Sequence, residues 1–132
     1  YCGKENLPTV LMQSDYLIIT VALNEDTKHM INSENIGLLN KNAVIINVAR
    51  GEVIEKNALF NALSHHKIRA ASLDVTDPEP LPPDDPLWQL DNVYITSHRA
   101  GKSNNRSERN CMLIKDNIEN FEAGKELLNR IV

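Results

Sequence analysis

The stretch Ala43-Val44-Ile45-Ile46-Asn47-Val48-Ala49-Arg50-Gly51 constrains the fold of this chain more than any other. Val44 to Val48 is a short apolar run rich in β-branched residues, which predicts a strand buried on both faces. The run breaks at Arg50-Gly51, and a helix-compatible segment extends from about Glu55 to His66. Strand, loop and helix in that order form the repeating unit of an α/β protein with a parallel sheet. In open sheets of that kind the ligand crevice lies just outside the carboxyl ends of the strands. Arg50 stands at such an end, and its planar fork of donors suits a carboxylate or a phosphate.

Three further runs read as strands around this unit: Tyr16 to Val21, Ile68 to Asp74 and Val93 to Thr96. Ser33 is a candidate cap for a short helix through Ile36, Leu38 and Leu39. Five of the six prolines fall between Val75 and Asp91, so that segment is expected to be a long ordered loop. Tyr1 to Pro8 reads as polar and irregular. From Ser103 the pattern turns helical, with Cys111, Ile114, Ile118 and Phe121 as an apolar stripe and Gly124 as a cap. The stripe reads as a packing face. Parallel strands with right-handed connections are the default for such an order of elements.

Composition narrows the class of function. A net charge of −4 gives no basic stripe for nucleic acid. No apolar run approaches the roughly 18 residues of a membrane span, and no basic-then-apolar leader opens the chain. Cys2 and Cys111 are isolated, without metal-ligand spacing, which fits a reducing, cytoplasmic setting. The C-terminus, Asn129-Arg130-Ile131-Val132, carries no peroxisomal or endoplasmic-reticulum address.

The residues just past each strand are Ala22, Arg50, Asp74 and His98, with Glu79 five residues beyond Asp74. A parallel sheet brings such ends to one edge, so a cation, two carboxylates and an imidazole can converge. Reduction of a 2-oxo acid needs a carboxylate clamp that also polarises the carbonyl, and a proton donor near neutral pH. Arg50 fits the first role and His98 the second. Glu79 fits a third, since an adjacent carboxylate favours the imidazolium and fixes the ring. Alone, Arg50 would read as a structural salt-bridge residue and Glu79 as a loop acid; their company makes the functional reading. His29, His65 and His66 lack such company and read as surface residues. Trp88, with Leu87 and Leu90, reads as packing.

Three segments carry a resemblance: Val48-Ala49-Arg50-Gly51, Leu73-Asp74-Val75-Thr76-Asp77-Pro78-Glu79-Pro80-Leu81-Pro82 and Thr96-Ser97-His98. In this order and spacing they resemble the signatures of the D-isomer-specific 2-hydroxyacid dehydrogenases. The phrase from Asp74 to Pro82 is most similar to the glyoxylate/hydroxypyruvate reductase branch. The resemblance covers roughly Ser14 to Gly124. It implies a Rossmann-like parallel sheet with flanking helices: residues 1–102 as part of an NAD(P)-binding domain, and residues 103–132 as a C-terminal helix returning to a substrate domain. It implies Arg50 as the substrate-binding arginine, Glu79 as the acid paired with the histidine and His98 as the general acid/base. Asp74 would contact the nicotinamide end of NAD or NADP, Val48 and Ala49 would line the nicotinamide pocket, and Ala22 and Ala100 would lie close to the cofactor. The expected partner is a small 2-oxo or 2-hydroxy acid, and the expected assembly a homodimer.

The chain departs from the family's pattern at Ser97 and Arg99, where proline and a small or apolar residue are usual. It holds no Gly-x-Gly-x-x-Gly turn, and its five glycines are scattered. The sequence therefore reads as the C-terminal part of such an enzyme. Two other readings stay open at this point. One is a corepressor-like NAD(H)-binding module acting through protein interaction, and the other is an inactive truncated homologue.

Overall fold

A computed structural model of the chain describes residues 3–130. The sequence readings at Tyr1, Cys2 and the last two residues lie outside them. Four parallel strands, β1 (Tyr16–Ile19), β2 (Val44–Asn47), β3 (Ala70–Leu73) and β4 (Val93–Ile95), pair in sequence order to form one sheet. Ile18, Ile46 and Ser72 share a register row, as do Ile19, Asn47 and Leu73. The strands are shorter than the apolar runs that announced them, because the last residues of each run leave the ladder to form the exits.

Helix α1 (Leu7–Gln13) precedes β1, α2 (Ser33–Ile36) joins β1 to β2, and α3 (Lys56–Ser64) joins β2 to β3. The irregular start expected through Pro8 is corrected: Pro8 lies in the first turn of α1, where a missing N–H costs nothing. What holds this short helix is Leu11, fully buried in the core. The cap of α2 is also corrected. Asn32, not Ser33, caps it, accepting from the Asn35 N–H at 3.0 Å.

One face of the sheet is buried. Leu17, Ile19, Ile45, Ala71 and Leu73 join Leu11, Ile36, Leu59 and Leu63 of the helices in a single apolar core. The other face is not: Tyr16, Ile18 and Tyr94 are exposed, and Val44 and Ile46 are only half-buried. The expectation of strands buried on both faces therefore fails within the described residues. Parallel strands that follow one another in order, joined by right-handed crossovers, put every crossover on the same side.

The chain divides into two compact units, the first ending at Ala100 and the second starting at Gly101. The second is α4 (Arg106–Glu122) with its flanking turns. Gly124 follows α4 with φ +64°, the left-handed position that ends many helices, and its N–H reaches the Phe121 carbonyl. The Asn117 side chain then ties the tail back, bonding both the N–H and the carbonyl of Leu128. Cys111, Ile114, Ile118 and Phe121 do line one side of α4, and all are exposed. No helix among the described residues is long and apolar enough to cross a membrane.

Candidate active site

The candidate site residues follow β2, β3 and β4, and each exit is held by local hydrogen bonds. At β2 the buried Asn47, 1% exposed, turns its side chain under the following loop. Its Oδ1 accepts the Ala49 N–H at 3.0 Å, and its Nδ2 donates to the Arg50 carbonyl at 2.9 Å. The Arg50 guanidinium curls back, Nη1 donating to the Ala49 carbonyl at 2.7 Å. The Arg50 side chain is otherwise exposed, and a guanidinium carries five donors. Gly51 then passes so close to the next exit that a Cβ there would lie 2.1 Å from the Thr76 carbonyl oxygen. Only glycine fits, because the loops after β2 and β3 touch through their backbones.

At β3 the exit is Asp74, 6% exposed. Its carboxylate accepts the Thr96 hydroxyl and the Arg99 N–H on Oδ1, and the Ala100 N–H on Oδ2. Burial pushes its pKa up, but these three donors, with the nearby His98, outweigh that and hold the group below the ordinary carboxylate value. Asp74 thus organises the β4 exit as much as its own. Backbone bonds extend the clamp, the Thr96 N–H reaching the Leu73 carbonyl and the His98 N–H the Asp74 carbonyl, each at 2.9 Å.

The proline-rich segment from Val75 to Asp91 is ordered, as expected, and contains a short 3-10 turn, Pro86–Gln89, capped by Asp85. Asp85 is buried and paired with Lys56 at the start of α3. Burial acts to raise its pKa; the Lys56 hydrogen bond, the Leu87 N–H and the Lys56 charge together lower it. Both the Asp77–Pro78 and Glu79–Pro80 peptide bonds are cis. The segment delivers Glu79 to His98, with Oε1 2.7 Å from Nδ1. His98 holds the left-handed φ of +50°, an outlier for a non-glycine residue at a crowded turn.

A cavity of about 470 Å³ opens beside this pair, lined by Asp74, Glu79, Trp88, Thr96 and His98 among others. Arg50 stands outside that lining, two strands from His98, at the same sheet edge. Val48 is 38% exposed, while Ala49 is buried. Ala22 is exposed in the segment after β1, ahead of the turn, its carbonyl accepting the Thr27 hydroxyl at 2.6 Å. His29, His65 and His66 are exposed and apart from the site.

Three contributors escape the sequence reading. Asn47 looked like one more strand residue, although a polar side chain inside a buried run is a signal. Thr96 stood within a signature without a role. Trp88 was expected to pack; it is 50% exposed, its Nε1 donating to the Pro82 carbonyl at 2.8 Å, and its ring walls the cavity. The arrangement sets an arginine at one strand exit, an imidazole bonded to Glu79 through Nδ1 at another, and a buried carboxylate at the exit between them.

Comparison with known proteins points the same way. The family described as D-isomer specific 2-hydroxyacid dehydrogenase, NAD binding domain, matches residues 1–100. A glyoxylate reductase of Korarchaeum cryptofilum is 37% identical over 125 residues, covering 93% of this chain and 38% of that protein. A D-isomer specific 2-hydroxyacid dehydrogenase from Xanthobacter autotrophicus, solved with NADPH and MES, superposes with a TM-score of 0.91 at 38% identity. That likeness covers 100% of this chain and 54% of that one. The NADPH-dependent glyoxylate/hydroxypyruvate reductase of Sinorhizobium meliloti, solved with NADP and sulfate, gives 0.86 at 30% identity, covering 96% of this chain and 41% of that one. The chain spans between 24% and 40% of the length of the curated relatives it matches. On the matched span and the shared fold, this chain belongs to the D-isomer specific 2-hydroxyacid dehydrogenase family, within its NAD-binding domain.

Proposed function

We propose that this chain is the catalytic edge of a nicotinamide-dependent reductase that converts a small 2-oxo acid, glyoxylate or hydroxypyruvate, into the 2-hydroxy acid. The observation that carries the reading is the Glu79–His98 pair at the rim of the Asp74 cavity. The residues fit the cofactor: among the described residues Oδ1 of Asp74 takes two donors and Oδ2 one, which leaves Oδ2 an acceptor position for a carboxamide N–H. In this reading Val48 and Ala49 line the nicotinamide pocket and Ala22 and Ala100 lie close to the cofactor, as the family resemblance implies; of the four, Ala100 bonds Asp74 through its N–H. NAD(P)H, when bound, supplies the hydride that reduces the substrate carbonyl carbon.

Arg50 grips the substrate carboxylate through its fork and draws electron density from the adjacent carbonyl. His98 gives the proton from Nε2 to the carbonyl oxygen as it gains charge, leaving a neutral imidazole and a hydroxyl. Glu79 holds Nδ1, so the ring presents Nε2 to the substrate and the imidazolium keeps a partner until the proton leaves. The names of the relatives support reduction of a small acid over a protein-interaction role. Residues 103–132 serve in this reading as the helix that returns to a substrate domain. A homodimer belongs to the proposal on the resemblance, and a cytoplasmic location on the isolated cysteines; light scattering and cell fractionation of the full-length protein check them.

The deciding experiment is steady-state reduction of glyoxylate and hydroxypyruvate by the full-length protein with NADH and NADPH. Turnover that His98→Ala abolishes is expected. A full-length protein that binds cofactor and reduces no 2-oxo acid overturns the reading.

A further inference from the structure

We infer that Asn47 is the positioning residue that sets the substrate-binding arginine, so that it governs affinity for the 2-oxo acid and not for the nucleotide. The inference rests on the proposed reading of Arg50. Its ground is a closed ring of hydrogen bonds: Ala49 N–H to Asn47 Oδ1, Asn47 Nδ2 to the Arg50 carbonyl, and Arg50 Nη1 to the Ala49 carbonyl. The amide is used in full sense, oxygen toward an N–H and nitrogen toward a carbonyl, which a carboxylate or an apolar side chain cannot reproduce. The Arg50 carbonyl is pinned a second time by the Val53 N–H at 3.3 Å.

The ring has a fixed base. Asn47 is the last residue of β2, its carbonyl accepts the Asp74 N–H at 2.9 Å, and its side chain is 1% exposed. Asn47 therefore ties the arginine loop to the residue that organises the histidine exit. A polar side chain this deeply buried is retained only where its partners are satisfied. Here every partner lies in the loop that carries Arg50. An extended loop without the ring would leave the guanidinium free to sample positions an ångström or more away, and a misplacement of that size costs about a hundredfold in a positioned reaction.

The test uses the full-length protein with Asn47→Asp and Asn47→Ser. The first keeps the acceptor for Ala49 and sets an oxygen against the Arg50 carbonyl; the second keeps the strand but cannot span both partners. For each, KM for hydroxypyruvate, inhibition by oxalate, kcat, and the stoichiometry and Kd of NADPH by fluorescence titration are measured. The expected result is kcat/KM lowered and the oxalate inhibition constant raised about 10- to 100-fold, KM rising as kcat falls, with NADPH Kd within about threefold of the parent. A merely structural residue would lower the fraction of protein that binds NADPH and leave KM and oxalate inhibition unchanged, and that outcome overturns the inference. So does NADPH affinity falling in step with substrate affinity. Amide hydrogen exchange on the unmutated protein judges the ring even where a variant fails to fold: Ala49 N–H is protected if the ring holds, and rapid exchange there overturns it. A parent that reduces no 2-oxo acid sinks the proposed function, while the exchange of Ala49 still decides whether the ring exists.

Discussion

Oε1 of Glu79 lies 2.7 Å from Nδ1 of His98, across nineteen residues of sequence and two strand exits. Both side chains are more than a third exposed, so solvent screens the pair and its contribution to stability is small. Its worth is orientation: with Nδ1 engaged, Nε2 is the nitrogen left to meet a substrate. In the full-length protein, His98→Ala is expected to lower kcat/KM for hydroxypyruvate by about 100-fold or more, with NADPH affinity retained. Glu79→Gln can offer either an oxygen or a nitrogen to the ring and is expected to lose roughly tenfold or more. Near-parent kinetics in His98→Ala would end its assignment as proton donor.

Arg50→Lys is expected to be far from conservative. A lysine keeps the charge but loses both the fork and the planar bond to the Ala49 carbonyl. Substrate KM should rise and kcat fall together, because in the proposed reading the same contact binds the carboxylate and polarises the carbonyl. A kcat/KM within a factor of about three of the parent contradicts the clamp.

Gly51→Ala should disturb the site without touching any reacting group. The new Cβ would sit 2.1 Å from the Thr76 carbonyl oxygen, which is backbone and cannot swing aside. The loops after β2 and β3 must separate, at a cost of about 1–3 kcal/mol as for other overpacked sites. Thermal unfolding should show the loss, and kinetics should show Arg50 displaced from the Asp74 side. An unchanged melting temperature would mean the close approach relaxes freely.

Acid should destabilise the fold through Asp74 and Asp85. Both have folded-state pKa values below the ordinary carboxylate value, so the unfolded chain binds more protons as pH falls. The stability they contribute is fully present above the unfolded value near 4 and is lost as pH drops through the lower folded values. Denaturation midpoints measured from pH 7 to about 2.5 should therefore fall below about pH 4. Asp85→Asn should begin less stable, with Lys56 unpaired, and should lose less across that window. Parallel curves for the two proteins would refute the assignment.

The 132 residues by themselves are expected to bind NADH weakly. In the proposed reading they supply the nicotinamide side of the site, and their sequence holds no Gly-x-Gly-x-x-Gly turn, the feature that seats a pyrophosphate on a helix N-terminus. Calorimetric titration of this isolated chain with NADH and NADPH checks the point; sub-micromolar affinity would disprove it.

What the sequence by itself determined was the order of strands and the residues at their ends. Runs such as Val44 to Val48 are apolar and β-branched over a short length, and Arg50, Asp74 and His98 follow their strands at once; both properties are local and legible without coordinates. The wall of signatures around Asp74 to Pro82 likewise needs only adjacency. Tertiary structure decided the rest, because it depends on what arrives from elsewhere in the chain. Leu7–Gln13 is a helix since Leu11 finds a core. The β strands bury one face since every crossover lands on the same side. Asp74 is held ionised by donors from Thr96, Arg99 and Ala100, more than twenty residues on. Asn47 reads as one polar residue in a strand until its side chain is seen beneath Ala49 and Arg50, and Gly51 as any glycine until the Thr76 backbone is placed against it. Hydrogen-bond direction and close approach are properties of pairs, and a linear pattern of residue types does not carry them.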